Sequence, residues 1–364
     1  MNHNPVKSAI RQFGLPRIII VGFFIFLVIA AGGFQMNLMQ LLSDCVRRWG
    51  MFGILTLAMV PAVQCGIGLN FGISMGIVGG LLGGLIVIEL DVARIPALVA
   101  VGPMFGMWAS VLVAILIGVV LATGIGYLYG LLLNQVKGSE MTVTTYVGFS
   151  IIAFMNMLWM LLPFQNGELK WPNAGKGLRN TISLSTSFSG VMNDTLSFKI
   201  GNFTVPTGLL LFMFFMCLLV WLFMKSKTGM AMSAAGSNPM FAKAAGINVN
   251  RMRLVGTTLS TVLAAVGIIV YAQGFGFMQL YYGPMMMGFN SVAAVLIGGA
   301  SPRRARISNV LLGTFLFQGI LALGLPVANQ FIPEGNLSEV MRLIISNGII
   351  IYALAQTKEG DGRE

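Results

Sequence analysis

The stretch VPAVQCGIGLNFGISMGIVGGLLGG, residues 60–84, decides how the rest of the chain is read. It is apolar enough for lipid, yet it does not read as a plain spanning helix. Pro61 removes a backbone donor, and Gln64, Gly66, Gly68 and Asn70 follow within ten residues. A broken second span is the expected outcome. Unwound backbone at bilayer depth is tolerated only where protein buries it or a watery cavity receives it. Gln64, Asn70 and Ser74 are therefore candidate pathway residues, with a mere packing kink as the plainer alternative. Beyond the break, Gly72, Gly76, Gly80 and Gly84 recur every fourth residue. Such a stripe lets two helix backbones approach closely and is not expected to bind anything itself.

The whole chain agrees with this local reading. Its 364 residues are 56% hydrophobic and only 9% charged, with a mean hydropathy of +0.86. That composition excludes a soluble enzyme, a disordered chain and a disulfide-stapled secreted domain. The single histidine, His3, sits in a polar N-terminal tail, so no histidine triad, histidine metal cluster or buried histidine relay is available. Cys45, Cys65 and Cys217 are far apart and read as small apolar fillers. The net charge of +11 comes from basic residues scattered singly between apolar runs. Positive-inside topology explains them better than nucleic-acid binding does.

A spanning helix needs roughly 20 apolar residues. Runs of that size lie near 18–34, 51–68, 72–90, 110–133, 143–162, 206–224, 252–273, 285–300, 308–326 and 339–356. The expected fold class is all-α: a polytopic membrane protein of about ten transmembrane helices, residues 18–356, between tails 1–17 and 357–364. The first run, after Lys7, Arg11 and Arg17, has the look of a signal peptide but is read as an uncleaved helix. With both termini inside, 14 of the 22 basic residues fall on the cytoplasmic side and 8 outside. The expected location is the bacterial cytoplasmic (inner) membrane, N-in and C-in. Arg47 and Arg48 fall outside on this count, and an amphipathic interfacial turn there would accommodate them.

Two connections are long enough to have jobs. Residues 163–205 are rich in Ser, Thr, Asn and Gly and are expected to face outside, as a docking surface for an external partner or as an inert connection. The alternation from Phe198 to Pro206 suggests a short strand or lid there. Residues 225–251 face the cytoplasm. No exact internal repeat is visible, although five spans on either side of the outer loop would fit a two-half architecture.

An ion-coupled carrier is expected to keep ionisable groups within its spans. Here Glu89 and Asp91 sit at a span's end, Glu140 lies in a loop, and nothing acidic occurs between Asp194 and Glu334. Nor is there a G-x-x-x-x-G-K-[ST] loop for binding ATP. The pair Gly124 and Gly126 within an apolar span reads as packing. Energy for uphill movement has to come from elsewhere.

The cytoplasmic connection carries the most information. Asn238 before Pro239 is a good helix start, and a short helix from Pro239 to Ala245 is expected to end at Gly246, a residue suited to a left-handed C-terminal cap. A two-turn helix with Met240 and Phe241 projecting has little reason to be stable alone, which suggests docking into a partner's groove.

The run Ala235-Gly236-Ser237-Asn238-Pro239 through Ala244-Ala245-Gly246-Ile247-Asn248-Val249 resembles the coupling-helix loop of ribose-type ABC importer permeases, in the branched-chain amino acid/ribose permease superfamily. Cys65-Gly66-Ile67-Gly68-Leu69-Asn70-Phe71-Gly72 resembles that family's G-G-I-D-L-S-V-G, and residues 291–301, SVAAVLIGGAS, its A-I-A-A-V-V-I-G-G-T-S. The resemblance covers most of residues 50–356. It implies a permease subunit that performs no covalent chemistry and binds no cofactor. A second permease subunit would complete the pathway, cytoplasmic ATPase subunits would hold ATP and Mg, and an extracytoplasmic solute-binding protein would deliver the solute. Asn238, Pro239, Met240, Phe241, Lys243, Ala244, Ala245, Gly246, Ile247 and Asn248 would form the ATPase coupling surface.

Gly68 stands where the family usually has Asp, and Asn70 where it has Ser, which removes a carboxylate from the supposed translocation region. A glycine-rich turn is replaced by Pro302-Arg303-Arg304-Ala305-Arg306, whose arginines either anchor a helix end or touch the ATPase. Gln64, Asn70, Ser74, Asn156 and Asn290 offer hydrogen bonds without fixed charge, which suits a small polar solute such as a monosaccharide; a nucleoside or ribityl vitamin is the alternative. An ion-coupled secondary transporter and a non-transport assembly subunit are the rival classes.

Overall fold

The computed structural model describes residues 15–169 and 180–331, with positions 344, 347 and 348. Most of the expected span at 339–356, the tail 357–364, residues 1–14 of the first tail and 170–179 of the long 163–205 loop lie outside the described residues.

Helix α1 (Leu15–Gly33) is apolar from Ile18 onward. Helix α2 (Leu38–Leu57) starts where the Asn37 side chain accepts the Gln40 amide, and α3 (Met59–Gln64) continues it. Pro61 has no N–H to give the Leu57 carbonyl, so the ladder slips at Ala58 while the backbone there stays helical at φ −58° and ψ −21°. The expected break within the second span is not found: Leu38–Gln64 runs as one candidate span, and the unwound residues connect it to the next, Phe71–Arg94. Cys65 to Asn70 leave the helix because Gly66 and Gly68 take φ of +83° and +86°, a region open to glycine. A 3₁₀ turn, Phe71–Ile73, leads into α4 (Ser74–Glu89). After another such turn, Val92–Arg94, come α5 (Pro96–Val99), α6 (Pro103–Gln135) and α7 (Glu140–Leu161).

The long connection 163–205 holds β1 (Thr181–Ser183), α8 (Val191–Asp194), β2 (Phe198–Ile200) and β3 (Phe203–Val205). Then follow α9 (Thr207–Lys225), α10 (Lys227–Ser237), α11 (Pro239–Ala244), α12 (Val249–Phe275), β4 (Phe277–Gln279), α13 (Tyr282–Ile297) and α14 (Ile307–Phe331). β2 and β3 form an antiparallel hairpin with Phe198 opposite Val205, where the alternation suggested a short strand or lid. β1 pairs antiparallel with β4, Thr181 opposite Gln279. These two small strand pairs qualify the all-α expectation.

Among the described residues, seven helical segments are long and apolar enough to cross a membrane, and Arg17–Gly33 and Tyr282–Ile297 are shorter apolar helices. The chain is a polytopic membrane protein. The count of ten is not reached among them: Gly298 and Gly299, the latter at φ +87°, end α13 early. The second span begins at Leu38, well before the expected residue 51. Arg47 and Arg48 thus lie on a helix and not in a connection, and Arg47 pairs with Asp44 one turn back at 2.9 Å.

Helix α4 sits between α6 and α12, and its glycines explain how. A Cβ on Gly76 would strike the Thr261 carbonyl, and one on Gly80 would meet the Ala265 carbonyl, both on α12. On another face, a Cβ on Gly79 would come within 3.2 Å of Ala122 and one on Gly83 within 2.6 Å of the Ala114 carbonyl, both on α6. Two glycine stripes let two helices approach, where the sequence suggested one. The middle of α12 is buried on nearly every side, whereas α6 turns Leu112, Leu116, Val120 and Leu128 outward.

Candidate functional site at the broken span

The break at Cys65–Asn70 lies at one end of the bundle, among loops. A Cβ on Gly236, near the end of α10, would strike the Gln64 carbonyl and come within 2.7 Å of the Gly66 nitrogen. Gln64 donates through Nε2 to the Ala305 carbonyl at 2.6 Å. The nearest neighbour of a Cβ on Gly68 would be the Pro302 carbonyl, at 3.6 Å. The unwound segment is therefore cradled by α10 and by the 301–306 turn. In that turn Arg303, Arg304 and Arg306 are exposed, and the Ser301 hydroxyl accepts the Arg304 amide at 3.1 Å.

From the same end projects α11. The Asn238 side chain accepts the Phe241 amide at 2.9 Å, which caps the helix, and Pro239 fills the first position. The helix stops at Ala244, one residue short of the expected Ala245, and Gly246 follows at φ +79°. Asn248 then caps α12 by accepting the Arg251 amide at 3.0 Å. Met240 is 85% exposed and Phe241 68%. Lys243, Ala244, Ala245 and Gly246 are exposed as well, with Ile247 half-buried. An apolar pair held this far out by caps at both ends is a foot left uncovered by the described residues.

The five expected pathway residues do not converge. Asn70 is fully buried: Oδ1 accepts the Tyr129 hydroxyl at 2.8 Å, and Nδ2 donates to the Ser260 hydroxyl at 3.1 Å. It clamps the strand after the break to α6 and α12. Ser74, also buried, donates to the Pro284 carbonyl at 2.9 Å. Asn156 and Asn290 occupy half-buried positions on α7 and α13, and Asn156 Oδ1 is buried without a hydrogen-bond partner.

Of the five, Ser74 lines a narrow cleft between α7, α13 and the 3₁₀ turn, beside Phe71, Phe149 and Phe289. The Phe289 ring centroid lies 5.5 Å from that of Phe71 and 6.0 Å from that of Phe149. The rings leave about 10 Å³ of free space, room for one water at most. Sequence reasoning passed over Phe149, Phe289, Tyr129 and Ser260. In a chain with 25 phenylalanines the aromatic pattern carried no distinguishing signal.

The connection 163–205 packs on the opposite end of the bundle. Gln273 Oε1 accepts the Met192 amide at 3.1 Å, and Asn193 donates to the Gly274 carbonyl at 3.0 Å, so this segment is fastened to the far end of α12. Both Glu89 oxygens hold the turn after α7, accepting the Gln165 amide at 2.8 Å and the Asn166 amide at 3.1 Å. Beside it Asp91, Arg94, Asn166 and Glu168 border a polar recess of about 250 Å³.

The Nucleoside ABC transporter permease protein NupB of Lactococcus lactis subsp. cremoris (strain MG1363) is 26% identical over 244 residues, 66% of this chain and 62% of that protein. The Probable ABC transporter permease protein YphD of Escherichia coli (strain K12) is 33% identical over 170 residues, 44% of this chain and 50% of that one. The Fructose import permease protein FrcC of Rhizobium meliloti is 32% identical over 131 residues, 35% of this chain and 36% of that one. The chain thus spans less than two thirds of the length of these relatives. No solved structure matches it. The family described as branched-chain amino acid transport system / permease component matches residues 41–354, which takes in the break, the exposed foot and the aromatic cleft. The chain belongs to that family of transport-system permeases.

Proposed function

We propose that this chain is the membrane-spanning permease subunit of an ATP-driven ABC importer for a small, polar, uncharged solute carrying a sugar ring. The observation that carries the reading is the foot: Met240 and Phe241 stand exposed on a capped two-turn helix, directly continuous with α10, which packs on the break. A partner's groove covering those side chains would have a short mechanical route to the unwound segment. ATP and Mg belong to that cytoplasmic partner, the polar outer face receives a solute-binding protein, and a second permease subunit completes the pathway. The foot then faces the cytoplasm, which puts N- and C-termini inside and favours ten crossings.

A monosaccharide is the first reading, because the pathway candidates carry no fixed charge. The three rings around Ser74 favour a second reading, a nucleoside, whose base has a flat face to stack on them. The relatives named for nucleoside and fructose transport are in keeping with either.

The test is reconstitution with the cognate ATPase and binding protein in vesicles, following labelled uridine and labelled fructose. ATP-driven uptake of either supports the reading, and Gly246→Pro or deletion of residues 239–245 is expected to abolish it while membrane insertion persists. Uptake that survives ATP depletion and collapses with the ion gradient overturns it.

A further inference from the structure

A buried charged knot joins the segment after the foot to helix α7. Arg253 of α12 is 7% exposed. Its Nη2 donates to Glu140 Oε1 at 2.6 Å and to the Leu133 carbonyl at 3.2 Å, and its Nε donates to Asn134 Oδ1 at 3.2 Å. The second Glu140 oxygen accepts the Gly138 amide at 2.8 Å. Asn250 extends the knot, taking Lys137 Nζ on its Oδ1 at 2.6 Å and Asn134 Nδ2 on its carbonyl at 2.9 Å. The end of α6, the first residue of α7 and the start of α12 thus share one polar centre.

Its position gives it a mechanical role. Asn250 is four residues past Gly246, so the knot is the first tie from α12 to other helices that follows the foot, after only the helix's own Asn248 cap. Glu140 opens α7, and two turns further on that helix meets the aromatic cleft: a Cβ on Gly148 would lie 2.8 Å from the Phe71 carbonyl, and Phe149 faces Phe289. Two ions so little exposed are costly to keep and costlier to separate. Apolar side chains would fasten the helices at lower cost, so the pair's advantage lies in fixing a register between parts that move. A hydrogen-bonded ion pair either holds its geometry or breaks, which is the behaviour needed to pass on a displacement between discrete states.

We propose that Glu140 and Arg253 are positioning residues that transmit movement of the foot to α7, and that Phe71, Phe149 and Phe289 form the closure this movement opens. The proposal rests on the ATP-driven reading above. The second route from the foot, through α10 and Gly236 to the break, bypasses the knot and gives the experiment its contrast.

The experiment uses the full complex with ATPase and binding protein in nanodiscs, with Cys45, Cys65 and Cys217 replaced by alanine. Nitroxide labels at Tyr146→Cys on α7 and Met285→Cys on α13, both exposed positions, report the distance across the cleft by electron–electron resonance. In the parent, ATP with vanadate is expected to shift the distance distribution. Glu140→Gln is expected to reduce the shifted population about threefold or more, and the exchange Glu140→Arg with Arg253→Glu to restore it. Should Glu140→Gln fail to assemble, Lys137→Met with Asn250→Ala loosens the knot without orphaning a buried charge and is expected to reduce the shift likewise. An unchanged shift in the variant that assembles, no recovery in the exchange, or no shift in the parent overturns the link. The ATP-driven reading fails separately, only if ATP-driven uptake of both labelled solutes is missing in the parent.

Discussion

Gly66 and Gly236 meet backbone to backbone: a Cβ on Gly66 would lie 2.9 Å from the Gly236 Cα, and one on Gly236 would strike the Gln64 carbonyl. The two residues are 170 positions apart, and their contact seats the unwound turn between the second and third spans on the helix that leads to the foot. Gly66 needs its freedom for a second reason, since its φ is +83°. Gly236 is a helical residue, so its requirement is purely spatial.

Gly236→Ala is therefore expected to destabilise through overpacking against backbone that cannot swing aside, by about 1–3 kcal/mol. The check is a fixed-rate thermal scan of detergent-solubilised protein beside Gly124→Ala, a position where nothing lies within 4 Å of the added atom. Gly236→Ala should lower the apparent Tm and Gly124→Ala should not. Equal Tm values would mean the two backbones do not meet as described.

The clamp on Asn70 makes a distinct prediction. Tyr129→Phe removes the donor to a fully buried amide oxygen and leaves that oxygen unpaired, at a cost of about 1–3 kcal/mol. Asn70→Leu alone leaves both the Tyr129 and Ser260 hydroxyls without that partner. Combined with Tyr129→Phe, it should cost clearly less than the sum of the single changes, because the two share one bond. Additive losses of stability in the double variant would dissolve the clamp.

The sequence made the break and the foot legible because both are written in local chemistry. Positive φ at Gly66 and Gly68, and the Asn-Pro start and glycine stop of α11, follow from residue type within a few positions. Pro61 drew attention to the right span but the wrong residue. Packing holds the helix past a proline that lacks one donor, whereas two left-handed glycines, Gly66 and Gly68, end it. The site's partners were not legible, since Tyr129, Ser260, Arg253 and Gly236 are brought to their contacts from 59 or more residues away by helix packing. Glu140 read as a loop acid, and only the fold puts Arg253 against it. The start of the second span was missed because Asp44, Arg47 and Arg48 lower its hydropathy, while its amphipathic helix packs regardless.

The caps of α11 can be tested without a partner. Asn238→Ala removes the acceptor for the Phe241 amide and should cost the short helix about 0.5–2 kcal/mol. Amide exchange in residues 239–244 should quicken, while the middle of α12 keeps its protection. Met240→Ser with Phe241→Ser is expected to do the reverse, since both side chains already face outward. Stability should stay within about 0.5 kcal/mol, and association with the ATPase should weaken. Full retention of the ATPase by that double variant would remove the foot as a docking surface.

Sidedness offers the last prediction, because the proposed function requires the foot and the strand-bearing outer connection to lie on opposite faces of the membrane. Ser237 and Ser185 are exposed at the two ends of the bundle, whereas Cys45, Cys65 and Cys217 are buried. A membrane-impermeant maleimide applied to spheroplasts should label Ser185→Cys and leave Ser237→Cys unmodified; inside-out vesicles should give the opposite pattern. Burial keeps the native thiols silent in both preparations, so each single-cysteine signal stands alone. If Ser237→Cys reacts from outside, the helix meant to engage a cytoplasmic ATPase is on the wrong face. The exposed Met240 and Phe241 would then need an external partner, and α12 would deliver force in the opposite direction.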